Sequence, residues 1–431
     1  AVHSTATILW VILPALALHE FQTRTGAVAR IRDTLGRITE DRRLQVILIA
    51  WFFGLFIEGA AGFGTPVALA APLLAGLGFA PARAVILALL GHAAGVSFGA
   101  VGTPTLAQAA LSGLDGRDIA LGAALIHAAL GPFLLLVTVY FAAPGPLRRS
   151  DIGWSALAAV FFFLPSVALA ALIGPELPSL GGALIGGLAF GWILRRRTRQ
   201  SDTGQGPQAG LADLAPYLWI LALVIVTRLI GPVREAAEAV TLGWSLPGGF
   251  SGSFAPLYHP GTLLLAGLAL AAMGTGRAGA LTGALSAALG RLVPVALALL
   301  AMLTLSRLML HAGMIGALAE AASATGQAWP LVAPFLGVLG TFVTGSATAS
   351  NILFTELQLS VAATLDLAPV AMAAVQGAGS AIGNVIAPHN IIAGAATVGL
   401  VGREGAVLAR TLAPGLIYAA AIGGIAALIA A

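Results

Sequence analysis

Residues 62–66 read GFGTP and residues 345–351 read GSATASN, and each stretch separates two apolar segments. In both stretches a threonine comes three residues after the first glycine. Glycine and short hydroxyl side chains between apolar segments favour a tight turn with a polar tip. Each stretch therefore predicts the tip of a helical hairpin.

A second pair of stretches follows the first pair at nearly the same distance along the chain. Residues 99–104 read GAVGTP and residues 383–388 read GNVIAP. Shared low complexity is the alternative, because Ala, Gly and Leu recur throughout the chain. A GxxT, a GxxxG and a proline in register over about forty residues, twice, favour an internal repeat instead.

The composition identifies the environment of these hairpins. Of 431 residues, 58% are hydrophobic and only 9% charged, with a mean hydropathy of +0.97. A soluble chain of this size needs roughly 25% charged residues. Water-soluble folds are therefore excluded. Collagen is excluded because there is no Gly-X-Y period, disordered chains because there is little polar sequence, and disulfide scaffolds because there is no cysteine. The composition predicts an all-α polytopic membrane protein.

The positions of the arginines indicate that they set the membrane topology and do not bind nucleic acid. The net charge is +4, but the basic residues lie mostly between hydrophobic runs, as at the ends of membrane spans. We therefore expect the lipid bilayer as a partner of this chain and no nucleic acid. The first residues contain no charged-then-apolar leader ending in small residues, so no secretory signal peptide is expected.

Many of the hydrophobic runs are short or interrupted by Gly and Pro. They lie at about 7–19, 44–58, 84–101, 119–142, 153–173, 180–194, 214–231, 261–273, 281–303, 329–344, 368–386 and 404–431. Runs below about 20 residues are too short for a straight span, and are typical of transporters with re-entrant hairpins and broken helices.

The repeat divides the chain into predicted parts. An arginine-rich segment, Thr23–Gln45, has Val28, Ile31, Leu35 and Ile38 at helical spacing and is interpreted as an interfacial helix; a solvated loop is the alternative. The predicted parts are 1–45 (first span and interfacial helix), 46–142 (first repeat), 143–194 (scaffold helices), 195–213 (polar linker), 214–328 (scaffold helices) and 329–431 (second repeat).

Two such repeats, inverted in the membrane, place four polar tips and breaks together near the midplane. Backbone is non-helical at that depth only where it is buried in protein or lines a cavity. Half-helix N-termini then direct partial positive charge at an anion, and helix C-termini bind cations. The arrangement predicts a solute-binding site.

At these residues the sequence resembles the L-lactate permease family, bacterial symporters for lactate and glycolate. The matching stretches are EGAAGFGTPVALAAPLLAGLGF at 58–79, FGAVGTP at 98–104, TGSATASN at 344–351 and GNVIAPHNIIAGAATVGLVGREG at 383–405. The resemblance implies proton-coupled uptake of small 2-hydroxymonocarboxylates, by an elevator movement of the repeat-bearing domain against a scaffold. Related transporters are often dimers, so a homodimer is expected by analogy.

The candidate substrate-binding groups are backbone and short neutral side chains at the tips and breaks. Hydroxyls and amides suit the hydroxyl and carboxylate of a 2-hydroxy acid, although some of them will only cap helices. The set is Gly62, Gly64, Thr65, Thr103, Ser346, Thr348, Ser350, Asn351, Asn384, His389 and Asn390.

Two ionisable residues are candidates for proton coupling. Glu58 ends an apolar run directly before the first tip, and an acid at membrane depth is usually functional. The alternatives are a surface acid, or one that bonds the hairpin backbone. His389 follows Pro388 in the first turn of a half-helix, where it either contacts the substrate, relays a proton, or is structural.

Arg307 is a further candidate, as a ligand of the substrate carboxylate. Alternatively it extends to the membrane surface or pairs with an acid such as Glu320. Glu356, beyond the second tip, is interpreted as part of a structural pair rather than a coupling group. His92 and His127 lie singly in apolar runs and are interpreted as core residues.

No catalytic motif, cofactor motif or metal-ligand spacing is present, so no enzyme activity, cofactor or metal is expected. The sequence predicts an inner-membrane secondary transporter for a lactate- or glycolate-like anion and a proton. A sodium-coupled carboxylate symporter is the first alternative, because GSATASN resembles the sodium sites of related transporters. A channel and an intramembrane enzyme are the others.

Overall fold

The computed structural model describes residues 2–62, 64–197, 208–246, 250–400 and 402–430. Helices dominate these residues. In chain order the α-helices are α1 (Val2–Arg24), α2 (Ala27–Gly36), α3 (Arg42–Val46), α4 (Gly54–Ala60), α5 (Thr65–Gly76), α6 (Pro81–His92), α7 (Gly99–Ser112), α8 (Gly116–Ala142), α9 (Arg149–Leu172), α10 (Pro178–Arg197), α11 (Leu211–Leu229), α12 (Gly231–Ala239), α13 (Pro260–Gly274), α14 (Ala278–His311), α15 (Met314–Ser323), α16 (Trp329–Thr344), α17 (Ala347–Leu365), α18 (Pro369–Gly383), α19 (Pro388–Thr397) and α20 (Glu404–Ile429). A π-helix, Ile47–Phe53, joins α3 to α4, and 3₁₀ turns at Ala93–Phe98 and Gly326–Ala328 precede α7 and α16.

Ten segments of the described residues are long and apolar enough to cross a membrane. They are Thr5–Arg24, Arg42–Ala60, Pro81–Ser112, Gly116–Ala142, Arg149–Leu172, Leu211–Leu229, Ala278–His311, Gly326–Thr344, Pro369–Thr397 and Glu404–Ile429. This confirms the predicted polytopic helical protein. Helix α5 is too short to span, as expected for one arm of a hairpin that does not cross the bilayer.

The chain forms two compact units. The smaller comprises residues 1–33 and 207–304. Within it α13 packs on α1 and α11, and Asp213 at the start of α11 pairs with Arg30 at 2.6 Å and Arg277 at 3.0 Å. Two guanidinium partners compensate for the burial of this carboxylate.

The larger unit comprises residues 34–206 and 305–431 and contains both predicted repeats. Its best-packed helix pairs are α16 with α18 and α9 with α10. Arg43 pairs with the buried Asp151 and also donates to the carbonyls of Gly145 and Pro146. These bonds fix the start of the first repeat against the turn that follows α8.

The structure corrects the all-α prediction at one place. An antiparallel ribbon pairs β1 (Leu242–Leu246) with β2 (Phe250–Phe254). The sequence between the strands is Pro-Gly-Gly at 247–249, which lies outside the described residues. Two short strand-like segments on either side of a Pro-Gly-Gly turn favour a β-hairpin. The hydropathy pattern of the chain does not show this feature.

The predicted interfacial helix and linker are partly helical. Gly26, with φ +70°, ends the first span, so that only α2 occupies the middle of the interfacial segment. In the predicted linker, α10 continues through Arg197 and α11 begins at Leu211. Linker residues 198–207 lie outside the described residues.

Both predicted hairpin tips contain left-handed glycine. In the first, α4 ends at Ala60, and α5 begins after Gly62 and Gly64, whose φ values are +56° and +77°. In the second, α16 ends at Thr344, and α17 begins at Ala347 after Gly345, whose φ is +73°. Left-handed backbone at these positions favours glycine. Phe63 of the first tip lies outside the described residues.

Each hairpin is followed by a helix with a break. In the first half, α6 ends at His92, and the chain passes through left-handed Ala100, Val101 and Gly102 before it resumes a helix. Left-handed backbone at a β-branched residue such as Val101 is strained and is retained mostly at functional sites. In the second half, the chain breaks between α18 and the N-terminus of α19 at Pro388.

Candidate functional site

A small cavity lies within the larger unit where both tips and both breaks meet. Its volume is about 30 Å³. The lining residues come from four separate stretches of sequence: Glu58, Gly62 and Gly64; Val96, Gly99, Ala100, Thr103 and Pro104; Gly345, Ser346, Ala347 and Thr348; and Asn384. The structure thus brings together seven of the predicted site residues, Glu58, Gly62, Gly64, Thr103, Ser346, Thr348 and Asn384.

Glu58 lies in the last turn of α4 and is 3% exposed. Its Oε1 lies beside Gly62 and Gly99, both of which line the cavity. A Cβ at Gly99 would overlap this oxygen, so glycine is needed there for the carboxyl group to approach the broken helix. The placement makes a surface acid the wrong interpretation of Glu58.

The other carboxyl oxygen of Glu58 faces a residue that the sequence interpretation assigned to the core. His92 Nε2 lies 3.7 Å from Glu58 Oε2, and His92 is 1% exposed. His92 Nδ1 is 2.6 Å from the carbonyl oxygen of Ala88. Neither Glu58 Oε2 nor His92 Nε2 has a hydrogen-bond partner among the described residues. No sequence signal marks this contact, because the hydrophobic periodicity of two mostly apolar helices does not specify which of their faces meet.

The second tip directs a helix N-terminus at the cavity. Ser346 caps α17, and its hydroxyl accepts a hydrogen bond from Ala349 N–H at 3.3 Å. The N–H groups of Ala347 and Thr348, in the first turn, have no partner within the helix. Such groups, with the positive end of the helix dipole, bind anions.

The two broken helices contribute an oriented amide and a bound hydroxyl. Asn384 lines the cavity, and its Oδ1 accepts a hydrogen bond from Asn390 Nδ2 at 2.6 Å, so the NH₂ group of Asn384 is the part of its amide that is left to donate. Thr103 donates to the carbonyl of Ala100 at 2.6 Å and so stabilises the strained turn. Asn390 therefore lies behind the cavity and orients Asn384.

The remaining predicted polar residues lie near the cavity but do not line it. Thr65 begins α5, and its N–H donates to Gly62 O at 3.0 Å. Ser350 donates to Gly337 O at 2.8 Å, and Asn351 to Pro104 O at 3.1 Å, so both connect helices. His389 is exposed and contacts Gly345. Their roles in substrate binding stay predictions.

Arg307 also lies away from the cavity lining. Its Nη1 pairs with Glu356 Oε1 at 2.6 Å, and Ser306 donates to the other oxygen of Glu356 at 3.3 Å. The acidic partner is thus Glu356 and not Glu320. A charge pair at membrane depth needs both partners, since either one alone would be left uncompensated.

The cavity combines one acid with neutral donors. Glu58 is the sole ionisable group among its described lining residues, and the donors are the N-terminus of α17, the amide of Asn384 and hydroxyl groups. The described residues contain no group of three or more His, Asp or Glu that could hold a metal ion. Such a cavity suits a small anion with hydroxyl and carboxylate groups.

Comparison with known proteins identifies the family of the chain. A family model described as L-lactate permease matches residues 1–241 and 245–431. An L-lactate permease of Salmonella typhimurium is 31% identical, covering 98% of this chain and 84% of that protein. An L-lactate permease of Streptococcus iniae is 30% identical over 85% of this chain and 80% of that protein. The glycolate permease GlcA of Escherichia coli is 30% identical over 96% and 83%.

Two solved transporter structures share the fold. The YdaH transporter of Alcanivorax borkumensis has a TM-score of 0.52 at 13% identity, covering 98% of this chain and 84% of that one. The antimetabolite efflux pump MtrF of Neisseria gonorrhoeae has a TM-score of 0.50 at 17% identity, over 98% and 80%. With ten candidate spans among the described residues, and with relatives that are permeases and not enzymes, the protein is a multi-pass protein of the bacterial inner membrane. The chain belongs to the L-lactate permease family.

Proposed function

We propose that this protein transports small 2-hydroxymonocarboxylates such as lactate and glycolate together with a proton. The observation that carries the proposal is the cavity in which both tips and both breaks meet, with neutral donors and one buried acid. The names of the relatives, L-lactate permease and glycolate permease, support the substrate class.

The substrate carboxylate binds the N–H groups of Ala347 and Thr348 and the amide of Asn384. The 2-hydroxyl group binds the hydroxyl of Ser346 or Thr348, which acts as both donor and acceptor. The cavity has room for about two water molecules, less than the anion requires. Binding therefore requires the two tips to separate from the breaks.

Coupling follows from the cost of moving charge through a bilayer. An anion bound in a dry site without a compensating charge is strongly disfavoured, so a carrier loaded with the anion alone does not cross. A proton taken up near Glu58 neutralises the loaded site. The loaded carrier and the empty carrier then cross, and the half-loaded forms do not.

The movement that we propose is of the elevator type, with inverted repeats. Residues 46–142 and 329–431 form the moving part, 143–194 and 214–328 the scaffold, 195–213 the linker, and 1–45 a peripheral segment, in a homodimer. The matching order of tip and break in the two halves supports a repeat.

Because the chain contains no cysteine, an introduced cysteine reports this movement directly. In Ser346→Cys, we expect an impermeant thiol reagent to react from either side of the membrane, and saturating lactate to slow the reaction from both. The matched control is Ser323→Cys, at the end of α15, whose labelling lactate should leave unchanged. Access from one side only, under all conditions, would contradict alternating access.

Uptake into proteoliposomes tests the transport activity. Labelled L-lactate should accumulate when the interior is alkaline, up to about tenfold for one pH unit at one proton per anion. Collapse of the pH gradient with an ionophore should remove accumulation, and a sodium gradient should not restore it. Accumulation driven by sodium alone would favour the sodium-coupled alternative, and no uptake of any short 2-hydroxy acid would refute the substrate class.

A further inference from the structure

Glu58, which lines the cavity, forms a buried pair with His92, which does not. Their facing atoms, Glu58 Oε2 and His92 Nε2, are 3.7 Å apart, and neither has another hydrogen-bond partner among the described residues. Glu58 Oε1 lies on the cavity side, beside Gly62 and Gly99. The pair therefore connects the substrate cavity to a histidine that does not line it.

The hydrogen bond on the far side of the ring fixes the tautomer of His92. Its Nδ1 lies 2.6 Å from the carbonyl oxygen of Ala88, and a carbonyl only accepts. Nδ1 therefore carries a proton. In the neutral ring, Nε2 then has a lone pair, which faces Glu58.

An ionised Glu58 opposite this lone pair would place two acceptors against each other in a dry environment. Each would be buried without a donor, which is among the costliest arrangements in a folded protein. One proton between the two atoms satisfies both, as a carboxylic acid that donates to Nε2 or as an imidazolium that donates to Oε2. At 3.7 Å the contact is longer than a hydrogen bond, so sharing the proton requires the two atoms to approach by about 1 Å.

We propose that Glu58 and His92 titrate as one unit, which holds a single shared proton when the carrier is empty and takes up a second proton with the substrate anion. The inference rests on the proposed proton-coupled function and names the groups that carry it. His92 acts through Glu58 and is a positioning and proton-holding residue that does not contact the substrate.

The charges balance in each state that crosses the membrane. The empty pair with one proton has no net charge. The anion adds one negative charge, and the second proton makes the ring an imidazolium, so the sum is again zero. Nε2–H then donates to Oε2, and the acid proton moves to Oε1, where it faces the substrate carboxylate. The ratio is one proton per anion.

The elements packed around the pair carry other charged or titratable groups. His127 is 2.9 Å from Ser97 Oγ and 2.8 Å from Tyr418 OH. Among the described residues, none of these groups forms a hydrogen bond or an ion pair with Glu58 or His92. The set is Arg83 on α6; Arg117, Asp118, His127 and Tyr140 on α8; Glu176 before α10 and Arg195, Arg196 and Arg197 on it; His389 on α19; and Arg403, Glu404, Arg410 and Tyr418 at or on α20.

The first test measures protons and lactate together, with a pH-sensitive dye and labelled lactate in the same proteoliposomes. The wild type should move one proton per lactate. In His92→Gln and in Glu58→Gln the second proton is not bound and the anion alone does not cross, so net lactate uptake and proton flux should both be lost, and a one-unit pH gradient no longer gives about tenfold accumulation. The matched control is His127→Gln, another buried histidine, whose ratio should stay at one even if its rate falls.

A second readout does not depend on transport. Infrared difference spectra on the purified full chain should show a protonated carboxylic acid at neutral pH that disappears in Glu58→Gln and shifts in His92→Gln. A ratio of one in His92→Gln, or an acid band that His92→Gln leaves unchanged, would overturn the shared proton. Failure of the wild type to transport lactate would instead overturn the proposed function, whereas the infrared result would still test the pair.

Discussion

Substituting Asn384→Asp is expected to reduce lactate uptake by roughly 30- to 1,000-fold. Aspartate has nearly the same shape, but it replaces an amide donor with a negative charge on the wall of the cavity. Repulsion between two charges about 4 Å apart costs on the order of 2–4 kcal/mol at the effective dielectric constant of a partly buried site. The loss should appear mainly as a higher KM, since the binding of the anion is what is opposed.

The control for this substitution is Gln327→Glu, the same change of amide to acid at an exposed position before α16. It should leave uptake within about twofold, as surface substitutions usually do. Uptake by Asn384→Asp should recover in part at acidic pH, as protonation of the new acid restores a donor. Wild-type KM in Asn384→Asp would show that the anion does not bind beside Asn384.

Substituting Gly99→Ala is expected to lower uptake by roughly 10- to 100-fold while the protein stays folded. Gly99 has φ −62° and ψ 152°, which alanine adopts readily, so the backbone tolerates the change. The added methyl group would overlap Glu58 Oε1 and displace the carboxyl group from the cavity. A displacement of about 1 Å in a functional group costs on this order.

Gly153→Ala is the matched control, because a methyl group at Gly153, in α9, meets no other atom within 4 Å. It should leave uptake and thermal stability unchanged. Gly99→Ala should elute as a monodisperse protein, with a melting temperature close to that of the wild type. Normal uptake in Gly99→Ala would indicate that the position of the Glu58 carboxyl group is not needed for transport.

The local sequence was sufficient to predict the tips and breaks. Gly62, Gly64 and Gly345 have the left-handed backbone that a glycine-rich polar stretch between apolar segments indicates. Pro388 begins a helix, as a proline after a break favours. These features depend on a few neighbouring residues, and the repetition of the pattern in both halves separates it from chance.

Side-chain partners were less predictable. The sequence offered Glu320 as a partner of Arg307, and the structure provides Glu356. It did not indicate that the side chain of Asn390 bonds Asn384, and the role of Asn390 in substrate binding stays a prediction. Each of these outcomes depends on which faces of two helices meet, and the hydrophobic periodicity of a mostly apolar helix does not specify a face.

By itself, the sequence determined that this protein is a polytopic helical membrane protein and predicted that it has two related halves, because composition and glycine placement dictate helices, spans and breaks. Only the tertiary structure decided that Glu58 faces His92 on one side and the cavity on the other. The physical reason is that spans and breaks arise from interactions between near neighbours in the chain. A buried pair arises from packing between separate helices, where a rotation of one helix by a single residue would turn either side chain away.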